Sequence, residues 1–204
     1  MQVRVSPTDM NYSAEEWQAR VDLAAAHRLA HMHGFSEGIF NHLTVVVPGR
    51  SELYYQIPFG MHWSEVTASS FMDGIDDGKV RRGSGDVERS CYCTGPALDP
   101  AEGQRLARVI GNKSVLFMAN HGVTTLGVTV ADAYDRLYYL ERAAQVQIYA
   151  MWTGQLLKEL PAAVVEKTKR DIGGAIFYDG PSPAQRHFDA LKRILDRSEP
   201  DYKN

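Results

Sequence analysis

His121 is the residue in this chain whose setting most suggests chemistry. It follows the apolar run Val115-Leu116-Phe117-Met118 and sits in Asn120-His121-Gly122, where that run breaks. An imidazole at a strand end can ligate a divalent metal or move a proton, and a following glycine lets the backbone turn or approach a ligand closely. Taken alone, His121 also reads, and more commonly, as a core histidine with both nitrogens satisfied by neighbours. Cys91 and Cys93 are the other soft donors. One residue apart, they are too close for an easy structural disulfide and too few for a zinc site of their own. His27 and His31 are four apart and share a helix face, but without a third ligand such a pair reads as solvated helix surface. His31 and His33 do not form an H-x-H ligand pair, since residues two apart on a helix point about 200° from one another. Asp76-Asp77-Gly78 reads as a solvated turn, because the repeated oxygen ligands of a calcium loop are absent.

The elements that position these residues can be read from capping and periodicity. Ser13-Ala14-Glu15-Glu16 has the form of a capping box, so a helix begins at about Ala14 and ends at Gly34, with Trp17, Val21, Ala24, Ala25, Leu29 and Met32 on one apolar face. Leu43 to Val47 and Leu53 to Ile57 are strands joined through PGRSE as a hairpin. A helical turn is expected over Thr67 to Phe71. Asp99-Pro100 opens a helix that Gly111 stops. The run Val115 to Met118 is expected to be a strand covered on both faces, handing over after His121 to a long helix from Thr129 to Thr153. The apolar stripe of that helix is Val130, Ala133, Tyr134, Leu137, Leu140, Ala144, Ile148 and Met151, with Glu141 inside it. Ser182-Pro183 caps a last helix that runs towards Pro200.

The 204 residues suit one domain, with a 44% apolar and 23% charged composition typical of soluble proteins. Net charge is -3 with scattered basic residues, which leaves no electrostatic footprint for nucleic acid. No apolar run approaches membrane-spanning length, and the first residues lack the apolar core of a signal peptide, so a cytoplasmic location without membrane partners is expected. Early hairpin strands beside a later helix-strand-helix run predict an α/β fold with a mixed sheet and helices on both faces.

Five blocks resemble the class II aldolase and adducin head-domain family: FNHLTVVVPG from Phe40, IPFGMHWSEVTASS from Ile57, ALDPAEGQRLA from Ala97, ANHGVTTLG from Ala119 and ADAYDRLYYLERAAQVQ from Ala131. The likeness runs from about Leu23 to Gly154, and the tail resembles extensions of bacterial members. It implies a three-layer αβα fold with a central mixed, largely antiparallel sheet. It also implies a single domain over residues 1–204, with a core of about 14–154 and a helical extension over 155–204. By the same resemblance the enzymes of the family are lyases that bind a divalent metal, usually zinc, through an H-x-H pair and a later histidine that His121 matches. The metal would polarise a carbonyl for carbon-carbon cleavage. Asn41, His42, Thr44, Phe59, Gly60, Ser84 and Gly85 match positions that hold a sugar-phosphate-like substrate, and Glu88 is the candidate for the proton-moving carboxylate. One departure bears on all of this. Only Arg89-Ser90-Cys91-Tyr92-Cys93 stands where the family carries a helix and the strand with H-x-H, so one core segment is expected to be missing, activity to be impaired, and Cys91 and Cys93 to be the only replacement ligands at hand. The resemblance further implies a homo-oligomer, up to a tetramer. The alternative it leaves open is a non-catalytic, adducin-like assembly domain or shortened inactive paralogue with actin- or spectrin-type partners.

Overall fold

A computed structural model describes residues 12–75, 100–119, 121–173 and 180–204. Helix α1 (Ala14–Met32) begins at the expected box: Ser13 Oγ accepts from the Glu16 amide at 3.1 Å, and Glu16 Oε2 accepts from the Ser13 amide at 2.8 Å. It ends at Gly34, whose φ of +77° belongs to the left-handed region, with the Phe35 amide returning to Ala30 O at 2.8 Å. The expected apolar face is only part of what this helix buries. Val21, Ala24, Ala25 and Leu29 are inside, but so are Arg20, Leu23, Ala26, His27, Arg28 and Ala30, while Met32 is 42% exposed. The run Ala24-Ala25-Ala26 allows neighbours to approach closely, so α1 is the central helix of the core. Buried cations follow from that position. Arg20 donates from Nε to Ala68 O at 2.8 Å and from Nη2 to Phe71 O at 2.9 Å, its guanidinium lying 4.4 Å from the Tyr12 ring centre and 5.0 Å from that of Tyr55.

Strands β1 (Val45–Val47), β2 (Arg50–Gln56) and β3 (Met72–Ile75) form an antiparallel sheet in sequence order. The hairpin loop is shorter than the sequence suggested. Val47 pairs with Arg50 across Pro48-Gly49, because Gly49 adopts φ +76° and β2 starts at once. Two 3-10 turns, Trp63–Glu65 and Ala68–Ser70, carry the chain from β2 to β3, the second within the expected helical turn.

After α2 (Pro100–Ile110), β4 (Val115–Met118) and β5 (Gly122–Thr125) pair antiparallel as a separate two-stranded sheet. This corrects the expectation for Val115 to Met118. None of the four residues is buried and Phe117 is 72% exposed, because the strand belongs to a small hairpin instead of the middle of a covered sheet. Helix α3 (Val130–Trp152) opens with a second capping box, between Thr129 and Asp132. Its predicted stripe is buried only at Tyr134, alongside Ala131; Ile148 is 46% and Met151 59% exposed. Contacts from α1 and α5 reach α3 at Tyr134, Asp135, Tyr138 and Tyr139, all in its first half, and leave the second half uncovered by them. Glu141, the acid within the stripe, accepts from Gln145 Nε2 at 3.1 Å.

A helix that the sequence reading missed, α4 (Ala162–Gly173), follows with exposed side chains; Pro161 before an amphipathic run was the available signal. Helix α5 (Pro183–Ser198) starts on Ser182, whose Oγ accepts from Gln185 N at 3.1 Å. Phe188, Leu191, Leu195 and Tyr202 then join α1 and the three-stranded sheet in one apolar core. Arg28 locks that closure by donating to Val66 O at 2.8 Å, Glu199 at 2.9 Å and Asp201 at 2.9 Å. The fold is α/β, and every pairing between described strands is antiparallel.

Candidate functional site

Two loops at the same end of the β1-β2 hairpin carry most of the candidate residues that the structure describes. The first turns at Glu37–Phe40, where Phe40 N donates to Glu37 O at 3.1 Å, and then places Asn41 at φ +66°. That value is uncommon for a non-glycine residue and is tolerated best by asparagine and aspartate. The second loop follows β2: Met61 N donates to Pro58 O at 3.3 Å, and Gly60 takes φ +92°. The Phe40 and Phe59 rings pack at 5.9 Å between centres, which brings the two loops together. Asn41, His42, Thr44, Phe59 and Gly60 are all exposed, so the combined rim faces solvent. A rim with left-handed backbone, a glycine and small polar groups can accept the close approach of an anionic oxygen.

Behind the rim lies His27, which the sequence reading placed on a solvated face and the structure buries completely. Its Nδ1 is 2.8 Å from Leu23 O, and its Nε2 is 3.3 Å from Leu43 N. A carbonyl only accepts and an amide N–H only donates, so Nδ1 carries the proton and Nε2 is bare. Burial, chiefly, with the nearby His42 adding a smaller push, lowers its pKa to about 4 against the raising effect of the Leu23 bond. The Trp63 ring stands edge-on to it at 5.1 Å and Phe71 at 5.7 Å. The signal available for this was the Ala24-Ala25-Ala26 run immediately before it, which marks a helix packed on more than one side. His31 and His33 do face different neighbours, as expected: His31 meets Ser36 Oγ at 3.0 Å and the His62 ring at 4.7 Å, whereas His33 Nδ1 lies 2.7 Å from Tyr134 Oη.

His121 occupies the turn of the β4-β5 hairpin, half-buried, with its amide donating to Met118 O at 3.2 Å. The hairpin is seated on α3 by Thr125 Oγ1, which donates to Ala133 O at 3.0 Å, and by Gly127. A Cβ at Gly127 would fall 2.3 Å from Ala133 N and 2.7 Å from Thr129 O. The His121 turn and the start of α3 are thus one unit. Among the described residues no three His, Cys, Asp or Glu side chains come together in a way that could hold a metal ion. The described donor set around His121 therefore does not complete a metal site. Ser84, Gly85, Glu88, Cys91 and Cys93 lie outside the described residues. A shallow cleft between the start of α1, Val45 and Thr129–Val130 contains none of the candidates.

Comparison with known proteins agrees with this architecture. The sequence profile of the Class II Aldolase and Adducin N-terminal domain matches residues 21–94 and 90–148, and the chain belongs to that family. The two matched pieces meet over residues 90–94, where the sequence led us to expect a missing segment. A protein of Pseudomonas aeruginosa that bears the class name aldolase class 2 protein is 28% identical over 244 residues, covering 94% of each chain. Since 94% of 204 residues is about 192, about fifty positions of that alignment face a gap in this chain. The crystal structure of an aldolase II superfamily protein from Pseudomonas syringae superposes with a TM-score of 0.84 at 28% identity, covering 98% of this chain and 100% of the other. Mouse alpha-adducin is 26% identical over 249 residues, which take in 91% of this chain and 34% of adducin. At the level of fold alone, L-fuculose 1-phosphate aldolase from Glaciozyma antarctica superposes with a TM-score of 0.72 at 19% identity, covering 94% of each chain. Among the described residues no helix is long and apolar enough to cross a membrane.

Proposed function

We propose that this chain is an aldolase-type lyase by descent, one that holds a small sugar-phosphate-like molecule and turns it over poorly. The observation that carries this reading is the Phe40–Phe59 contact, which sets Asn41 and Gly60, both with left-handed backbone, on a single exposed rim. On this reading Asn41, His42, Thr44, Phe59 and Gly60, together with Ser84 and Gly85, hold the anionic end of the ligand. His121 is the surviving metal donor, Cys91 and Cys93 are the replacement thiol ligands, and Glu88 moves the proton. The likeness in fold to an L-fuculose 1-phosphate aldolase supports the substrate class. The gap of about fifty positions against the Pseudomonas aeruginosa relative supports the impairment, since the family's H-x-H pair belongs to the segment expected there. Enzymes of this family are typically metal-dependent, and a bound divalent ion would supply stabilisation of negative charge developing on the substrate. The described donors do not by themselves complete its site.

The test uses the purified full chain, dialysed and assayed for bound zinc, for binding of L-fuculose 1-phosphate, and for aldehyde release. Saturable binding with little zinc and slow or absent release is the expected result. Stoichiometric zinc with rapid release would overturn the impairment, and absence of binding would overturn the substrate class.

A second reading, assembly through helix faces, is favoured by the exposed apolar residues Val146, Ile148, Tyr149, Met151 and Trp152 on α3 and by the adducin relatives. On this reading the chain forms homo-oligomers and binds actin- or spectrin-type partners without regard to sugar phosphates. Co-sedimentation with filaments, with and without L-fuculose 1-phosphate, separates the two.

A further inference from the structure

We propose that His27 is the positioning residue of the ligand rim: its bare Nε2 accepts the Leu43 amide and so fixes where Asn41 and His42 stand beside Phe59-Gly60. This rests on the reading of that rim as an anion-holding surface. Four observations converge on it. His27 is fully buried, yet it spends one ring nitrogen on its own helix and the other on a loop sixteen residues away. The bond to Leu23 O fixes the tautomer, so Nε2 can only accept. Trp63 and Phe71 hold the ring edge-on and tilted, which leaves it little freedom to turn. Asn41, two residues before the tethered amide, takes a left-handed conformation, a backbone state of this kind persisting only where surroundings hold it. No ligand needs to touch His27 for this role; it acts through the loop.

Two substitutions separate tether from bulk. In His27→Asn the amide group can still donate to Leu23 O but nothing reaches the Leu43 amide, whereas in His27→Gln the side-chain oxygen extends to the place of Nε2. Inorganic phosphate is the probe, followed through the backbone amide signals of the full isotope-labelled chain. We expect His27→Asn to weaken phosphate binding roughly tenfold, the scale of one lost hydrogen bond, and to speed hydrogen exchange at Leu43. His27→Gln should stay within about threefold of the unaltered chain on both counts, whatever its melting temperature. Equal behaviour of the two variants would overturn the tether. The unaltered chain provides a check that needs no variant to fold: its His27 nitrogen shifts must report Nδ1 protonated and Nε2 bare, with Leu43 protected from exchange. An Nε2-protonated ring or an unprotected Leu43 overturns the proposal. Failure of the unaltered chain to take up phosphate would instead sink the ligand reading of the rim, a different result from loss of Leu43 protection.

Discussion

His33 Nδ1 lies 2.7 Å from the hydroxyl of Tyr134, joining the end of α1 to the first turns of α3. Tyr134 is 3% exposed, and burial pushes its hydroxyl above the ordinary tyrosine range, so the phenol stays neutral. Burial, and then the charges of Arg142 and His187, hold His33 below its usual value. The pair is thus neutral on both sides near pH 7. Tyr134→Phe should cost about 1–2 kcal/mol in urea unfolding. In a double-mutant cycle with His33→Phe the two losses should fail to add, leaving a coupling of about 1 kcal/mol.

Stability should fall as the solution is acidified from pH 6.5 towards 4. His27 has a folded pKa of about 4 against 6.5 when unfolded, so between these values the unfolded chain binds the proton and the folded chain does not. The contribution is fully present above pH 6.5 and has been lost by about pH 4, roughly 3 kcal/mol in all. His33, also lowered, acts in the same direction. Urea unfolding at pH 7, 6 and 5 measures the slope, and His27→Gln should flatten it. An unchanged slope in that variant would assign the effect elsewhere.

The Arg28 clamp should respond asymmetrically. Arg28 is nearly buried, whereas the side chains of Glu199 and Asp201 are 35% and 47% exposed. Arg28→Ala removes three hydrogen bonds and a packed stem, and should cost about 2–4 kcal/mol. Glu199→Gln leaves a solvated partner and should cost less than about 1 kcal/mol. Equal losses in thermal or urea unfolding would contradict this division.

Two glycines offer a contrast in close approach. Gly127→Ala drives a methyl group into the backbone of Thr129 and Ala133, and should cost more than about 2 kcal/mol while displacing the amide signals of α3's first turn. Gly103, inside α2, has open space around it and no left-handed backbone. Gly103→Ala should stabilise by about 0.5–1 kcal/mol.

The uncovered half of α3 should make the chain associate. Val146, Tyr149, Met151 and Trp152 are each at least 59% exposed, an apolar surface that water disfavours. Sedimentation should report species larger than a monomer, and Val146→Glu with Trp152→Glu should shift them towards the monomer. A monomer at every concentration before substitution would contradict this.

Much of the fold is legible in the sequence where local chemistry decides it. Ser13, Thr129 and Ser182 announced their helices because an N-cap acts over three residues, and Gly34 and Gly49 marked real turns because only a left-handed residue fits there. The misses share a cause, which is that burial depends on what arrives from elsewhere in the chain. Val115 to Met118 has the composition of a core strand but among the described residues pairs only with β5, and Ile148 and Met151 keep helical spacing where α1 and α5 do not reach. His27 reversed the error. Four-residue spacing from His31 suggested a shared solvated face, yet the Leu43 loop, Trp63 and Phe71 close over it. In the site, the motif blocks located Asn41 and Gly60 as candidates, but the Phe40–Phe59 ring contact that joins their loops and the His27–Leu43 hydrogen bond behind the first loop have no signature in spacing.

The Arg28 clamp also orders events during synthesis. Arg28 enters the chain 171 residues before Glu199, and Ser69 N finds its partner only at Asn204 O. At 5–20 residues per second the ribosome leaves this helix without its final partners for on the order of ten seconds or more. Through that interval the growing chain carries an alanine-rich helix, an unneutralised arginine and an unfilled place for Tyr202. Only when Glu199, Asp201 and Tyr202 have been made can Arg28 gain its carboxylate partners and the core close over α1.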